Sequence, residues 1–180
     1  MADRNARIDA LLDKAEILDC LTRFCRGSDR RDRALFIACC HPDAIISVGP
    51  FVGSAAELYD WSDGMAATNN GTMHNLLNFT CDLDGDSAHS ETYYFFTQRN
   101  LDGSNVLAGG RYIDRFERRD GEWKLLVRNN FIEWSSVVAG LDNPLNQVAD
   151  LLANGTPSRG PDDISYTRPL VNVRARNVPG

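Results

Sequence analysis

Histidine is scarce in this chain. There are three among 180 residues, His41, His74 and His89, and their scattered spacing gives no metal site. Paired Cys-x-x-Cys spacing is also missing. The five cysteines, Cys20, Cys25, Cys39, Cys40 and Cys81, are odd in number, so neither a disulfide framework nor a zinc cage is signalled, and they read as small core residues. Positive surplus is lacking too: a net charge of −6 argues against a nucleic-acid surface, which needs a basic stripe to gain affinity by counterion release. No apolar run approaches the roughly 18 to 20 residues that span a bilayer, and the opening Met-Ala-Asp-Arg-Asn-Ala-Arg holds no apolar signal core. The expectation is a cytoplasmic protein without nucleic-acid or membrane partners. No glycine-rich phosphate loop is present either, since Gly109-Gly110 lies inside a strand-like pattern and reads as a bulge or bend.

What the sequence does hold is enough apolar material, 43%, for one core. Ile8, Leu11, Leu12, Ala15, Leu18, Leu21 and Cys25 recur at three- and four-residue steps, which predicts an amphipathic helix over 7–26 whose pattern ends at Gly27. A polar corner at 28–32 leads to a short helix over 33–40, closed by His41-Pro42. A strand at 44–48 and a helix at 54–68 capped by Ser54 follow. Four strand-like segments then succeed one another at 72–81, 87–98, 106–118 and 122–135. Each junction carries Asp-Gly, a signal for tight reversal between antiparallel neighbours. Helices first and sheet second make the class α+β. A further helix is expected over 143–152, then a breaker-rich linker or lid at 154–163 and an extended tail. The division is a domain over 1–136, with 137–180 packing on the core or on a neighbouring subunit.

His74 is the residue of interest. It sits in the apolar run Thr72–Phe79, and a period of two puts Asn78 on its face. Histidine supplies a base near neutral pH without large perturbation, and a carboxylate on the other ring nitrogen fixes its tautomer. Asp29, at the end of the first helix, needs compensation because the helix dipole disfavours a carboxylate there by about 0.3 to 1 kcal/mol. Arg26, Arg30 and Arg31 on the surface would supply it, or Asp29 turns inward to His74. His74 itself is either satisfied by a backbone carbonyl or acts as a base. His41 and His89 read as exposed bystanders.

Three segments carry a resemblance: the first helix with its Asp corner, Arg23 to Asp32; Thr72-Met73-His74; and Gly109 to Leu125. Together they resemble the SnoaL-like branch of the nuclear transport factor 2-like superfamily over roughly residues 7 to 135. The resemblance implies a cone, with N-terminal helices packed in the concave face of a curved, mostly antiparallel sheet around a deep pocket. It also implies chemistry without metal or organic cofactor, as in scytalone dehydratase, bile acid 7α-dehydratase and hexachlorocyclohexane dehydrochlorinase. The catalytic base then falls on His74 and its orienting aspartate on Asp29. Phe24, Val48 and Thr97 stand where those enzymes carry further catalytic groups, so the electrophilic partner is not inherited.

That partner must come from elsewhere on the strands: Tyr93 or Tyr94, Tyr112, Asn78 or Arg128. If Tyr112 faces the pocket, period two places Asp114 and Phe116 on the same side and Arg111 and Arg115 outside. Phe24, Tyr59, Trp61 and Phe131 are candidates to line the pocket. Such an apolar cavity suits a hydrophobic small molecule of steroid or polyketide type. The expected activity is a dehydratase-type lyase, with an isomerase or cyclase, or a non-catalytic binding or assembly subunit, as alternatives. The resemblance further implies a homodimer or homotrimer.

Overall fold

A computed structural model describes residues 3–140 and 144–175. The elements run α1 (Arg4–Asp29), α2 (Arg33–Ala38), β1 (Cys40–Val48), β2 (Phe51–Gly53) and α3 (Ala55–Met65) with a 3-10 turn after it, then β3 (Asn69–Asp84), β4 (Ser87–Asn100), β5 (Asn105–Arg119) and β6 (Glu122–Val138). The strands form one sheet in the order β2-β1-β6-β5-β4-β3. Every pairing is antiparallel except β1 with β6. The class is therefore the expected α+β cone, a curved, mostly antiparallel sheet with the helices on its inner face. The β5–β6 reversal shows why Asp-Gly works: Asp120 and Gly121 both take positive φ, 54° and 82°, the two-residue turn that matches strand twist.

The helix α1 is buried over its C-terminal half only. Ile17, Cys20, Leu21, Phe24 and Cys25 form the buried stripe, whereas Ile8, Leu11, Leu12 and Leu18 are exposed. The expected stripe is thus correct in period and wrong in extent, since Ile8, Leu11, Leu12 and Leu18 of it stay exposed. The core joins Ile17, Leu21 and Phe24 of α1 to Phe36, Ile46, Phe116 and Leu125. Each such side chain contributes on the order of 1.5 to 3 kcal/mol by leaving water. All five cysteines are free and buried.

Several local expectations are corrected. Gly27 does not end α1; it lies in the last turn, where a Cβ would sit 2.7 Å from the Phe36 backbone nitrogen, so it is the point of closest approach to α2. β1 begins at Cys40 rather than Ala44 and includes Pro42, which is tolerated because β1–β6 pairing is irregular between Cys40 and Ile45. His41 is not an exposed bystander: it is 6% exposed and its Nε2 meets the Glu117 carbonyl at 2.9 Å. The segment from Pro144 forms only a 3-10 turn, Pro144–Gln147, instead of a helix reaching Leu152; Asn143 lies outside the described residues. Among the described residues no helix is long and apolar enough to cross a membrane.

Ser54 does cap α3, with the reciprocal pattern of a capping box: the Glu57 backbone N–H reaches Ser54 Oγ at 3.3 Å, and Ser54 N–H donates to the Glu57 carboxylate at 2.8 Å. Gly27 is the most exacting contact between helices. Gly27→Ala is expected to lower stability by about 1 to 3 kcal/mol through overpacking, read as a lower denaturant midpoint with unchanged m-value.

Candidate active site

The end of α1 delivers Asp29 to the start of β3. Its Oδ1 lies 2.7 Å from His74 Nδ1, its Oδ2 accepts the His74 backbone N–H at 2.9 Å, and Thr72 Oγ1 donates to it at 2.9 Å. Side-chain exposures are 14% for Asp29 and 20% for His74. Burial raises the Asp29 carboxyl, but the donors from His74 and Thr72 more than offset this and hold it below its ordinary value. An ionised carboxylate can only accept, so Nδ1 carries the proton in the bond to Asp29, and in the neutral imidazole Nε2 then has the free lone pair. Of the two ways to compensate Asp29 at the helix end, the inward one is observed. Arg30 and Arg31 instead pair with Asp163 and Asp63.

His74 opens on a cavity of about 350 Å³ between the helices and the inner sheet face. Phe24, Phe36, Leu58, Tyr59, Trp61 and Phe96 supply most of its apolar wall, while Ser28, Thr72, Tyr94, Asn130 and Arg159 add polar groups. Phe96 packs against the imidazole at 4.8 Å between ring centroids, which limits its rotation. Tyr94 stacks on Tyr112 at 4.4 Å, and burial pushes the Tyr94 phenol up, so it stays a hydrogen-bond donor at neutral pH.

Under these tyrosines lies a second carboxylate with its partner. Arg128 Nε and Nη2 bond Asp114 at 2.9 and 2.8 Å, and the two side chains are 1% and 0% exposed. The guanidinium stands 4.0 Å from the Tyr112 ring centroid and 4.7 Å from that of Phe24. Burial alone would favour neutral Arg128, and the Asp114 carboxylate overcomes this and keeps it protonated. Arg128 thus lines the cavity floor almost without exposure.

Of the residues named from sequence, the structure brings His74, Phe24, Tyr59, Trp61, Tyr112 and Arg128 to this cavity, with Asp29 behind His74. Three do not reach it. Asn78 is exposed because β3 slips register against β4 between Leu76 and Phe79, which breaks the alternation counted from His74. Tyr93 points to the outer face, 42% exposed under Arg111, since its neighbour Tyr94 takes the inward position. Phe131 is likewise outside, 52% exposed. Asp114 and Phe116 do share the inner side with Tyr112, as the period predicts.

Two contributors had no clear sequence signal. Asn130 lies two residues beyond Arg128 on the same face of β6. Arg159 comes from the breaker-rich segment that reads only as linker or lid. It donates from Nε to the Asp29 carbonyl at 3.3 Å and from Nη1 to Asn69 Oδ1 at 2.8 Å. Among the described residues, no group of three or more His, Cys, Asp or Glu side chains stands together as a metal site would require.

A helix-filled cone with an acid-oriented histidine in its pocket wall defines the class of protein. The particular family follows from the sequence: residues 9–129 match the SnoaL-like domain, and this chain belongs to that family. Among solved structures, a hexachlorocyclohexane dehydrochlorinase (LinA, type 2) is similar with a TM-score of 0.69 and 20% identity, covering 77% of this chain and 98% of that one. The type 3 enzyme from Novosphingobium barchaimii LL02 gives 0.68 and 21%, covering 76% and 97%. A scytalone dehydratase-like protein from Novosphingobium aromaticivorans DSM 12444 gives 0.65 and 17%, covering 74% and 96%. At these identities the likeness is one of fold. No curated protein matches the chain significantly.

The buried pair offers a test of the pocket floor. Asp114→Ala leaves Arg128 charged and unpaired and is expected to cost about 3 to 5 kcal/mol, whereas removing both charges with well-packed apolar residues costs far less. Chemical denaturation of the single and double variants measures the difference.

Proposed function

We propose that this chain is a cofactor-independent lyase, a dehydratase-type enzyme acting on a hydrophobic cyclic ketone of steroid or polyketide type. One observation carries the reading: His74 Nδ1 is held at 2.7 Å by a half-sequestered carboxylate, in the wall of a largely apolar cavity of about 350 Å³. The names of the similar structures, dehydrochlorinase and scytalone dehydratase-like protein, both denote eliminations and agree with it.

In this reading His74 Nε2 removes the proton α or vinylogous to the substrate carbonyl, and Asp29 stabilises the imidazolium that forms. The C–H electron pair moves toward the carbonyl oxygen, to which the protonated Tyr94 hydroxyl of the cavity wall donates a hydrogen bond. Return of that electron pair expels the β-hydroxyl, which takes the proton from His74 and departs as water. The neutral alternative, a binding or assembly subunit, calls for a separated Asp29 and His74 or a filled pocket; a 2.7 Å contact beside an open cavity supports neither.

His74→Ala and Asp29→Asn are each expected to lower turnover of a hydroxylated ketosteroid panel by about 10²- to 10⁴-fold with unchanged circular dichroism. Products lighter by one water identify dehydration, and unchanged mass identifies an isomerase or cyclase. Undiminished turnover in His74→Ala contradicts the assignment of the base.

A further inference from the structure

The C-terminal segment that follows the family-matched domain is fastened to one place. Asp163 pairs with Arg30 at 3.4 Å, Ser165 Oγ accepts from Arg26 at 3.1 Å, and Tyr166 lies under the Arg26 guanidinium at 4.6 Å while its hydroxyl donates to Asp32 at 3.3 Å. All of these anchors belong to the last turn of α1 and the corner after it, the stretch that carries Asp29. Asp163 is 4% exposed and also accepts the backbone N–H groups of Ser158 and Ser165 at 3.0 Å, so the strap is folded upon itself. Its effect is to set Arg159 at the mouth of the cavity.

Arg159 differs from three cations nearby, although Arg26 and Arg99 likewise bond neutral oxygens. Arg30, Arg31 and Arg128 each hold a carboxylate. The hydrogen-bond partners of Arg159 among the described residues are a carbonyl, an amide oxygen and, at 3.5 Å, the Thr72 hydroxyl. These occupy three of the five guanidinium N–H groups and leave one on each terminal nitrogen. The chain is acidic, with a net charge of −6, so counter-ions are not in short supply. Burial and the charge of Arg31 work against the protonated form, and the Asp29 and Asp63 carboxylates offset them only in part, so a bonded anion would stabilise the cation further. Arg159 lines the cavity of His74 and also a second cavity of about 500 Å³ on its other side, bordered by Arg30, Thr97, Arg99 and Ser158.

We propose that Arg159 is a specificity-determining residue that binds a carboxylate on the substrate, so that the preferred substrate is an apolar ring system bearing one carboxylate at the end nearest the strap. A guanidinium that bonds no carboxylate among the described residues matches a monoanion, and two N–H groups on adjacent terminal nitrogens match its two oxygens. The apolar body then lies against Phe24, Tyr59 and Phe96, within reach of His74. The inference rests on the reading of this cavity as the substrate pocket.

Calorimetry with 2-naphthylacetate and the neutral, equally shaped 2-(2-naphthyl)ethanol separates the two ideas. Wild-type protein is expected to bind the acid at least about tenfold more tightly than the alcohol, from charge-assisted bonding to Arg159. Arg159→Met should abolish that ratio while leaving affinity for the alcohol unchanged, and Arg159→Lys should restore part of it. Arg159→Gln replaces the methionine variant if thermal melting shows that one unfolded. Equal binding of acid and alcohol by wild type, or a preference that survives loss of the charge, overturns the role of Arg159 and leaves the pocket standing. Binding of neither compound overturns both.

Discussion

Asp29 and His74 are 45 positions apart, and the hydrogen bond between them is the constraint that the rest of the fold serves. A carboxylate at the C-terminal end of a 26-residue helix is misplaced with respect to the helix dipole. It is tolerated because three donors from the start of β3 converge on it, two of them from His74. The same bond that stabilises Asp29 commits one imidazole nitrogen and leaves the other for the cavity. Stability of the helix end and readiness of the base are one interaction.

The geometry holds because of what is packed around it. Gly27 lets α2 approach α1 two residues before Asp29. On the cavity floor Asp114 and Arg128 neutralise each other at 1% exposure or less, and their ion pair supports the stacked tyrosines above. Asp29 and Asp114 are therefore each paired, in different ways. The base is paired with one of them, and the other keeps a cation beneath the pocket. The strap adds one further charge at the rim, held by bonds to the same helix end.

Much of this was legible in the sequence where periodicity runs unbroken. Tyr112, Asp114 and Phe116 fall on the inner side of β5 as alternation requires, and the Asp-Gly turns fix the order of the four long strands. Alternation failed where the strand is irregular. Asn78 was placed beside His74 by counting in twos, and a bulge after Leu76 turns it out. Between Tyr93 and Tyr94, or for Phe131, no local feature says which residue faces inward, since either face of such a strand carries aromatics. The apolar stripe of α1 gave the helix and not its buried length, which depends on where the sheet ends. Arg159 was invisible for a different reason: it reaches the site through contacts about 130 residues away, between Arg159 and Asp29, made by a segment without regular structure. Of the helix expected over 143–152, the structure shows only a 3-10 turn, Pro144–Gln147.

The central claim is that Asp29 fixes the His74 tautomer and leaves Nε2 free. Nitrogen-15 NMR of the imidazole side chain reads this directly at a pH where the ring is neutral. The account predicts a protonated Nδ1 and an unprotonated Nε2 for His74 in the wild-type protein, with that preference lost in Asp29→Asn. A ring protonated at Nε2, or averaged between both tautomers with Asp29 in place, would contradict it.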